Sequence, residues 1–250
     1  MDARGEARKH VRIADDLRAM IRSGELRDGD RLPGENTIME RYGVARMTAR
    51  QALADLQNEG IAVARKGAGV FVRTFRPVRR FGNRRLGRDV WGSGRSIWDV
   101  DETQGPAEVD RLTVREVPAP DDAARLLGVP PGTPVISRDR RYLVAGRPVQ
   151  HAVAYIPAVI AAGTPIADED TGPGGIYARL AELGHAPVKF TEEIRARMPT
   201  REEVEALALA PGTPVVSIAR VAFAQDGHVV EVSQLTLSAA EYILHYEFDA

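Results

Sequence analysis

Two arginines, Arg46 and Arg50, stand four residues apart, with Met47 and Thr48 between them. If this segment is a helix, residues at i and i+4 project from the same side, so both guanidiniums would point outward together. A guanidinium can donate two hydrogen bonds to O6 and N7 of guanine, and Thr48 with the helix N-terminus suits phosphate oxygens. The spacing predicts contacts to DNA, although an isolated pair of this kind is more often an ordinary solvated helix face.

The segments around this pair are predicted to form three helices. Apolar residues at helical spacing fill residues 11–21. A second helix can begin near Glu35 and end at Gly43, and a third is expected from about Ala45 to Asn58. The arginine pair would then lie in the opening turns of the third helix.

A basic hairpin is predicted directly after the third helix. Two short β-prone runs, IAVAR and GVFVR, are joined by Lys66–Gly69, where Gly67 and Gly69 permit the positive φ angles of a tight tip. Arg65 and Lys66 could add contacts to phosphates or to the minor groove. The order helix, helix, helix, hairpin is that of a winged helix-turn-helix, which usually binds nucleic acid and in some proteins binds protein instead.

Charge is unevenly distributed along the 250 residues. The net charge is −1, but residues 1–75 carry +3, residues 76–98 carry +6 and the remainder carries −10. This distribution is expected if only one end of the chain meets a polyanion. With 44% hydrophobic residues the chain is long enough for two globular units. We predict domains at 1–75 and 107–250, and between them, at 76–106, an Arg- and Gly-rich linker partly ordered by Trp91 and Trp98.

The second predicted domain contains an internal repeat. The segment PDDAARLLGVPPGTPVISRDRRYLVAGRPVQ, from Pro120, matches TREEVEALALAPGTPVVSIARVAFAQDGHVVE, from Thr200, at an offset of 80 that becomes 81 in a turn. Arg140 falls opposite Arg220. Each copy predicts a short helix, a PGTP turn and two strands, so two helix-hairpin units should share a mixed or antiparallel sheet. The predicted fold class is α+β.

The N-terminal segment LPGENTIMERYGVARMTARQALADLQNEGIAVARKGAGVFV resembles the signature of the GntR family of bacterial repressors, over about 65 residues. The resemblance implies that Arg46 and Arg50 read bases. It also implies supporting roles in fixing the helices, contacting the DNA backbone or forming the wing for Glu35, Thr48, Lys66, Gly67 and Gly69. Asn36 stands where many members have a DNA-contacting arginine. It can still donate to a phosphate, but the salt dependence of binding should be shallower by about one contact.

The C-terminal half resembles the UTRA domain of the HutC-like branch of that family, whose fold is similar to that of chorismate lyase. The resemblance rests on the duplicated PGTPV segments, GRPVQHAVAYIP, GIYARL and DGHVVEVS. It implies a ligand between the two halves of the repeat, and it assigns effector contacts to Arg138, Arg140, Tyr177 and Glu231.

Two arginines on one strand could clamp a carboxylate or phosphate, and Glu231 could accept hydrogen bonds from hydroxyls or an amine. The alternative is that Arg138, Arg140 and Arg141 form an exposed cationic strand. Gly175 and Ala152 replace a serine and a glutamate of many relatives, which does not favour a sugar phosphate.

Other chemistries find no candidate residues. The chain has no cysteine, its five histidines lack paired ligand spacing, and neither a GxSxG nor a serine-histidine-aspartate pattern is present. We therefore expect no catalytic residue, metal or cofactor. No apolar run approaches the roughly 20 residues that span a bilayer, so we expect a soluble cytoplasmic protein with no membrane partner.

The function predicted from these patterns is a homodimeric repressor that binds a double-stranded, pseudo-palindromic operator and is released by a small-molecule effector, which could be anionic. An activator built from the same parts remains open. So does an enzyme of lyase-like fold, which would turn over its ligand, and a protein-interaction module, which would bind no DNA at any salt concentration.

Overall fold

A computed structural model describes residues 3–73, 75 and 77–248 of the chain. The chain divides into two compact units, one of Met1–Arg76 with Leu209–Thr213 and the other of Pro77–Ala208 with Pro214–Ala250. Each unit has a hydrophobic core of its own.

The first unit begins with three helices, α1 (Ala3–Arg22), α2 (Glu35–Tyr42) and α3 (Arg46–Asn58). Their apolar faces meet in one core, to which α1 contributes Ile13 and Leu17. The bounds of α2 and α3 confirm the prediction. The first helix begins earlier than predicted because its opening residues are polar, and apolar periodicity cannot detect a polar helical turn.

A hairpin completes the first unit. Strands β1 (Ala62–Arg65) and β2 (Gly69–Val72) pair antiparallel, as the sequence predicts. Residues 29–32 add a third segment along the edge of β2, because the amide of Leu32 donates to the carbonyl of Val70 and the amide of Val72 donates to the carbonyl of Asp30, each at 2.8 Å. The winged helix-turn-helix is therefore confirmed, with a small three-stranded wing.

The second unit is built around a sheet with short helices. Its described elements in chain order are β3 (Val78–Phe81), a 3₁₀ helix (Arg84–Leu86), α4 (Arg88–Trp91), a 3₁₀ helix (Ile97–Val100), β4 (Ala107–Pro118), α5 (Asp121–Leu127), β5 (Pro134–Val144), β6 (Arg147–Pro157), α6 (Ala158–Ala161), a 3₁₀ helix (Pro165–Ala167), α7 (Gly175–Glu182), β7 (Lys189–Arg197), α8 (Arg201–Ala206), β8 (Val215–Phe223), β9 (Val229–Ser238) and β10 (Tyr242–His245). Across the described residues, no helix is both long and apolar enough to cross a bilayer.

The main sheet has the strand order β4-β5-β6-β9-β8-β7, with every neighbouring pair antiparallel. Each copy of the repeat supplies two strands of one half, β5 and β6 in the first and β8 and β9 in the second, and the halves join where β6 pairs with β9. Arg140 on β5 lies opposite Ala152, and Arg220 on β8 lies opposite Ser233. The predicted duplicated sheet is therefore confirmed, and it has an approximate twofold relation between its halves.

The structure differs from the prediction over residues 76–106. Instead of a linker, the described residues 77–106 form several short elements of the second unit. Strand β3 pairs parallel with β10, near the other end of the chain. Trp91 is 1% exposed, and its indole N–H donates to the carbonyl of Leu86 at 3.1 Å. Helices and strands this short show no hydrophobic periodicity, and the segments they pack against are distant in sequence. The hydrophobic pattern therefore could not predict them.

Replacement of Trp91 by alanine tests this packing. We expect Trp91→Ala to lower the free energy of unfolding of the second unit by about 3–5 kcal/mol, because it leaves a large cavity in the core. Urea unfolding of the full chain, followed by circular dichroism, measures the change. Val159→Ala is the control, since Val159 on α6 is 94% exposed. Equal urea midpoints for Trp91→Ala and wild type would contradict the assignment of residues 77–106 to this core.

Candidate DNA interface and effector cavity

Helix α3 presents Arg46, Met47 and Arg50 to solvent. The side chains of Arg46 and Arg50 are 60% and 58% exposed, and Met47 is 69% exposed. Thr48 is only 7% exposed. Its hydroxyl is therefore poorly placed for the phosphate contact expected from the sequence, because helical geometry turns position 48 toward the core together with Ala49.

Glu35, the first residue of α2, holds both arginines. The Nε of Arg50 donates to Glu35 at 2.8 Å, and the Nε of Arg46 lies 3.7 Å from the same carboxylate. A terminal nitrogen of Arg46 also donates to the Oδ1 of Asn36 at 3.2 Å. The hydrogen bond from Arg50 lowers the pKa of Glu35, with smaller help from the charge of Arg46. The carboxylate thus fixes two guanidiniums side by side at the start of α3.

The wing ends in an exposed basic tip. Arg65 and Lys66 are exposed, and the Arg65 guanidinium lies over the Phe71 ring, 4.3 Å from its centroid. Gly67 has a φ of 73°. At Gly69, with a φ of 116°, a Cβ atom would lie 2.9 Å from the Nε of Arg31. Both glycines are therefore needed for the turn, and Gly69 also for the close approach of Arg31.

A cavity of about 350 Å³ lies within the second unit, on one face of the main sheet. Its apolar and aromatic walls include Ile97, Trp98, Tyr142 and Leu235. The Trp98 and Tyr142 rings pack against each other with centroids 4.8 Å apart. An aromatic wall of this kind suits a ring or hydrocarbon body. Trp91, in contrast, lies in the core and does not line the cavity.

Two of the predicted effector residues, Arg140 and Tyr177, line this cavity. Arg138 does not, because its terminal nitrogens donate to the carbonyls of Ile166, Asp168 and Glu169. Burial, with the neighbouring charge of Arg140, lowers the pKa of Arg138 to about 10. The guanidinium of Arg138 is therefore occupied in holding the loop over residues 166–169.

Glu231 lies behind the cavity wall. It is fully buried, and it accepts hydrogen bonds from the hydroxyls of Tyr177, at 3.2 Å, and Ser233. The nearest guanidinium nitrogen of Arg220 lies 3.8 Å from the same carboxylate. Glu231 is placed to position cavity residues rather than to contact a ligand directly. The predicted exposed strand of three arginines is not observed, since Arg138 is buried.

Three cavity arginines were absent from the predicted site. They are Arg80, Arg85 and Arg220. Arg80 pairs with Glu192 on β7, and Arg85 pairs with Asp101 at 2.8 Å. Arg80 and Arg85 lie in the Arg-rich segment that the sequence assigned to a linker, and the charge of that segment was the only signal for them. Arg220 was visible as the repeat partner of Arg140.

Burial shapes the ionisation of these pairs. It lowers the pKa of Arg85 to about 10, against the attraction of Asp101, and it raises the pKa of Asp101. For Glu192, burial opposes ionisation, but the hydrogen bonds and charge of Arg80 outweigh it and hold the pKa of the carboxyl below its usual value. Each pair places a carboxylate beside one of the cavity arginines.

The orienting role of Glu35 can be tested by charge removal. We expect Glu35→Gln to reduce the preference for operator over mixed-sequence DNA by about 1 kcal/mol, the lower end of what one bidentate arginine–guanine contact contributes. Affinity for mixed-sequence DNA should not fall, because a negative charge is lost. Fluorescence anisotropy with both DNAs measures this. Glu40→Gln removes the same charge from an exposed position of α2 and should leave the preference unchanged. Wild-type preference in Glu35→Gln would exclude the orienting role.

Comparisons with known proteins agree with both halves of this description. Residues 9–72 match the gntR family of bacterial regulatory proteins, and residues 105–243 match the UTRA domain. The chain is 30% identical to an HTH-type transcriptional regulator of Streptomyces coelicolor, over 97% of this chain and 93% of that protein. It is 26% identical to the HTH-type transcriptional repressor NagR of Bacillus subtilis, over 95% and 93% of the two chains.

Solved structures show the same architecture. A crystal structure of a GntR-family transcriptional regulator superimposes with a TM-score of 0.65 at 27% identity, over 97% of this chain and 98% of the other. PhnF of Mycobacterium smegmatis shares the fold, with a TM-score of 0.54 over 95% and 99% of the two chains. The chain belongs to the GntR family of bacterial regulatory proteins, and it is a transcriptional regulator with an N-terminal winged helix-turn-helix and a C-terminal UTRA domain.

Proposed function

We propose that the protein is a homodimeric repressor whose affinity for its operator falls when a small molecule binds in the cavity of the UTRA domain. The observation that carries the proposal is the fixed pair of guanidiniums on α3, Arg46 and Arg50, held by one carboxylate in a family of DNA-binding regulators.

Operator recognition follows from the geometry of that pair. In a homodimer two α3 helices enter the major groove at half-sites about one DNA turn, roughly 10 base pairs, apart. Arg46 and Arg50 donate to guanine edges, while Arg65 and Lys66 at the wing tip contact the DNA backbone. Each lysine or arginine that neutralises a phosphate makes binding weaken with added salt. Met47, exposed beside the arginines, packs on a base or sugar edge.

Control by an effector requires a ligand site and a segment of the chain through which ligand binding can affect DNA binding. The cavity volume of about 350 Å³ lies within the usual range for small-molecule sites. Arg80 on β3 lines the cavity, and β3 is the first strand that the chain forms after the DNA-binding unit. A ligand that changes the contacts of Arg80 therefore acts on the strand that follows the winged helix in the chain. A coupling free energy of about 1–3 kcal/mol between the two sites is enough for regulation.

The sign of regulation and the fate of the ligand are part of the proposal. NagR, a relative over nearly the full length of both chains, is named a repressor, and this supports repression here. The named relatives are regulators, which supports a sensor that returns its effector unchanged rather than an enzyme. The protein would act in the cytoplasm, where a bacterial operator lies.

Anisotropy on DNA from upstream of the protein's own gene tests operator binding. We expect saturable binding that weakens with salt, and Arg46→Ala should weaken it by about 1–3 kcal/mol through loss of a base contact. Arg201→Ala is the control, because Arg201 is an arginine of the second unit whose side chain is 93% exposed. Binding that is indifferent to salt and to Arg46 would refute the repressor and point to a protein partner instead.

A further inference from the structure

The two halves of the UTRA domain place an arginine at the same position of the cavity. Arg140 on β5 and Arg220 on β8 are equivalent in the repeat, and both line the cavity. Each faces its neighbouring strand in the same register, since Arg140 lies opposite Ala152 and Arg220 lies opposite Ser233. The surroundings of the two guanidiniums can therefore be compared position by position.

In the second half the arginine is neutralised within the protein. A terminal nitrogen of Arg220 donates to the hydroxyl of Ser233 at 3.2 Å and lies 3.8 Å from the carboxylate of Glu231. Ser233 in turn donates to Glu231. A carboxylate and a hydroxyl together hold the charge of Arg220.

In the first half both of these groups are replaced. The position equivalent to Glu231 is Gln150, which lies opposite Tyr142 just as Glu231 lies opposite Ala222. The position equivalent to Ser233 is Ala152. Gln150 is neutral, and its amide oxygen accepts a hydrogen bond from Tyr242 at 3.3 Å. The first half therefore has neither the carboxylate nor the hydroxyl beside its arginine.

Arg140 consequently lacks a counter-charge. Within the described part of the chain it forms neither a salt bridge nor a side-chain hydrogen bond. Its guanidinium lies over the Tyr142 ring, 5.8 Å from the centroid. The other three cavity arginines each face a carboxylate, namely Glu192 for Arg80, Asp101 for Arg85 and Glu231 for Arg220.

The count of charges limits what can bind. One cation without a partner attracts one negative charge, while a second negative charge would find the remaining guanidiniums already paired and would meet only the partial positive charge of the α7 N-terminus, which also lines the cavity. Arg138 does not alter this balance at the cavity surface, because its terminal nitrogens are committed to backbone carbonyls.

From this asymmetry we infer that the effector is a monoanion, whose single carboxylate takes the place at Arg140 that Glu231 takes at Arg220. Its ring or hydrocarbon body lies against Trp98, Tyr142 and Leu235. Gln150 is the residue that sets this charge class. The inference rests on the proposed effector site, and it excludes doubly charged phosphate esters as the preferred ligand.

Three compounds with one ring and different charge test the inference: phenylacetate, phenyl phosphate, which is doubly charged at about pH 8, and neutral phenylacetamide. Thermal shift and calorimetry with the full chain give their dissociation constants. We expect phenylacetate to bind saturably, and about tenfold more tightly than either of the others, because a charge-assisted pair with arginine is the interaction that distinguishes them. No phenylacetate binding, or tighter binding of phenyl phosphate, overturns the inference.

The decisive variant gives the first half of the domain the carboxylate and the hydroxyl that the second half has beside its arginine. Gln150→Glu with Ala152→Ser should neutralise Arg140 internally and weaken phenylacetate binding at least about tenfold. The new glutamate can still accept the hydrogen bond from Tyr242. Arg140→Gln, which removes the cation instead, should give the same loss if the double variant folds poorly. Wild-type phenylacetate affinity in both overturns the inference.

Arg141→Gln is the matched control for charge. Arg141 is the next residue on β5, and it pairs with Asp110 and does not line the cavity. Its loss should leave phenylacetate binding unchanged. Operator binding of the wild-type chain is measured alongside without ligand. If it is present while phenyl phosphate binds best, only the charge assignment fails, whereas its absence refutes the proposed repressor itself.

Discussion

Burial of guanidinium groups is the constraint on which the second unit depends. Arg80, Arg85, Arg138 and Arg220 are each at most 4% exposed, and a charge removed from water must find its partners inside the protein. Those partners come from remote places in the chain: a strand on the far edge of the sheet for Arg80, a 3₁₀ segment for Arg85, and loop carbonyls for Arg138. These contacts hold β3, two of the 3₁₀ helices and the loop over residues 166–169 against the sheet, and residues of β3 and of those two helices line the cavity.

The approximate twofold relation of the sheet makes the remaining asymmetry informative. Duplication supplied the same strand, turn and arginine twice, and the same register in both hairpins. Only one copy retains a carboxylate and a hydroxyl beside its arginine. In the half with Glu231 and Ser233, the arginine is paired within the protein, and this half serves as a scaffold. In the half with Gln150 and Ala152, the arginine has no such partner. The proposed ligand site therefore depends on a difference between two similar halves rather than on an additional element.

The winged helix also pairs a carboxylate with arginines, but at the protein surface. Glu35 holds Arg46 and Arg50 without burying them, so the guanidiniums keep donors for DNA while their side chains are restricted. A surface ion pair contributes little to stability, which leaves orientation as the main consequence of this contact. If the arginines contact bases as proposed, less conformational freedom is lost on binding. In the second unit the carboxylate of Glu231 neutralises Arg220. In the first unit the carboxylate of Glu35 orients two arginines, Arg46 and Arg50.

The sequence by itself determined the helices α2 and α3, the wing, the duplicated sheet and the arginine pair on α3, because each depends on local periodicity, turn residues or internal similarity. Through the family resemblance it also predicted two residues, Arg140 and Tyr177, that line the cavity. Only the tertiary structure decided that residues 77–106 fold into the second unit, that Thr48 and Arg138 turn inward, and that Arg80 and Arg85 reach the cavity. The physical reason is that burial and charge neutralisation join residues far apart in the chain, and no pattern along the sequence records which carboxylate faces which guanidinium.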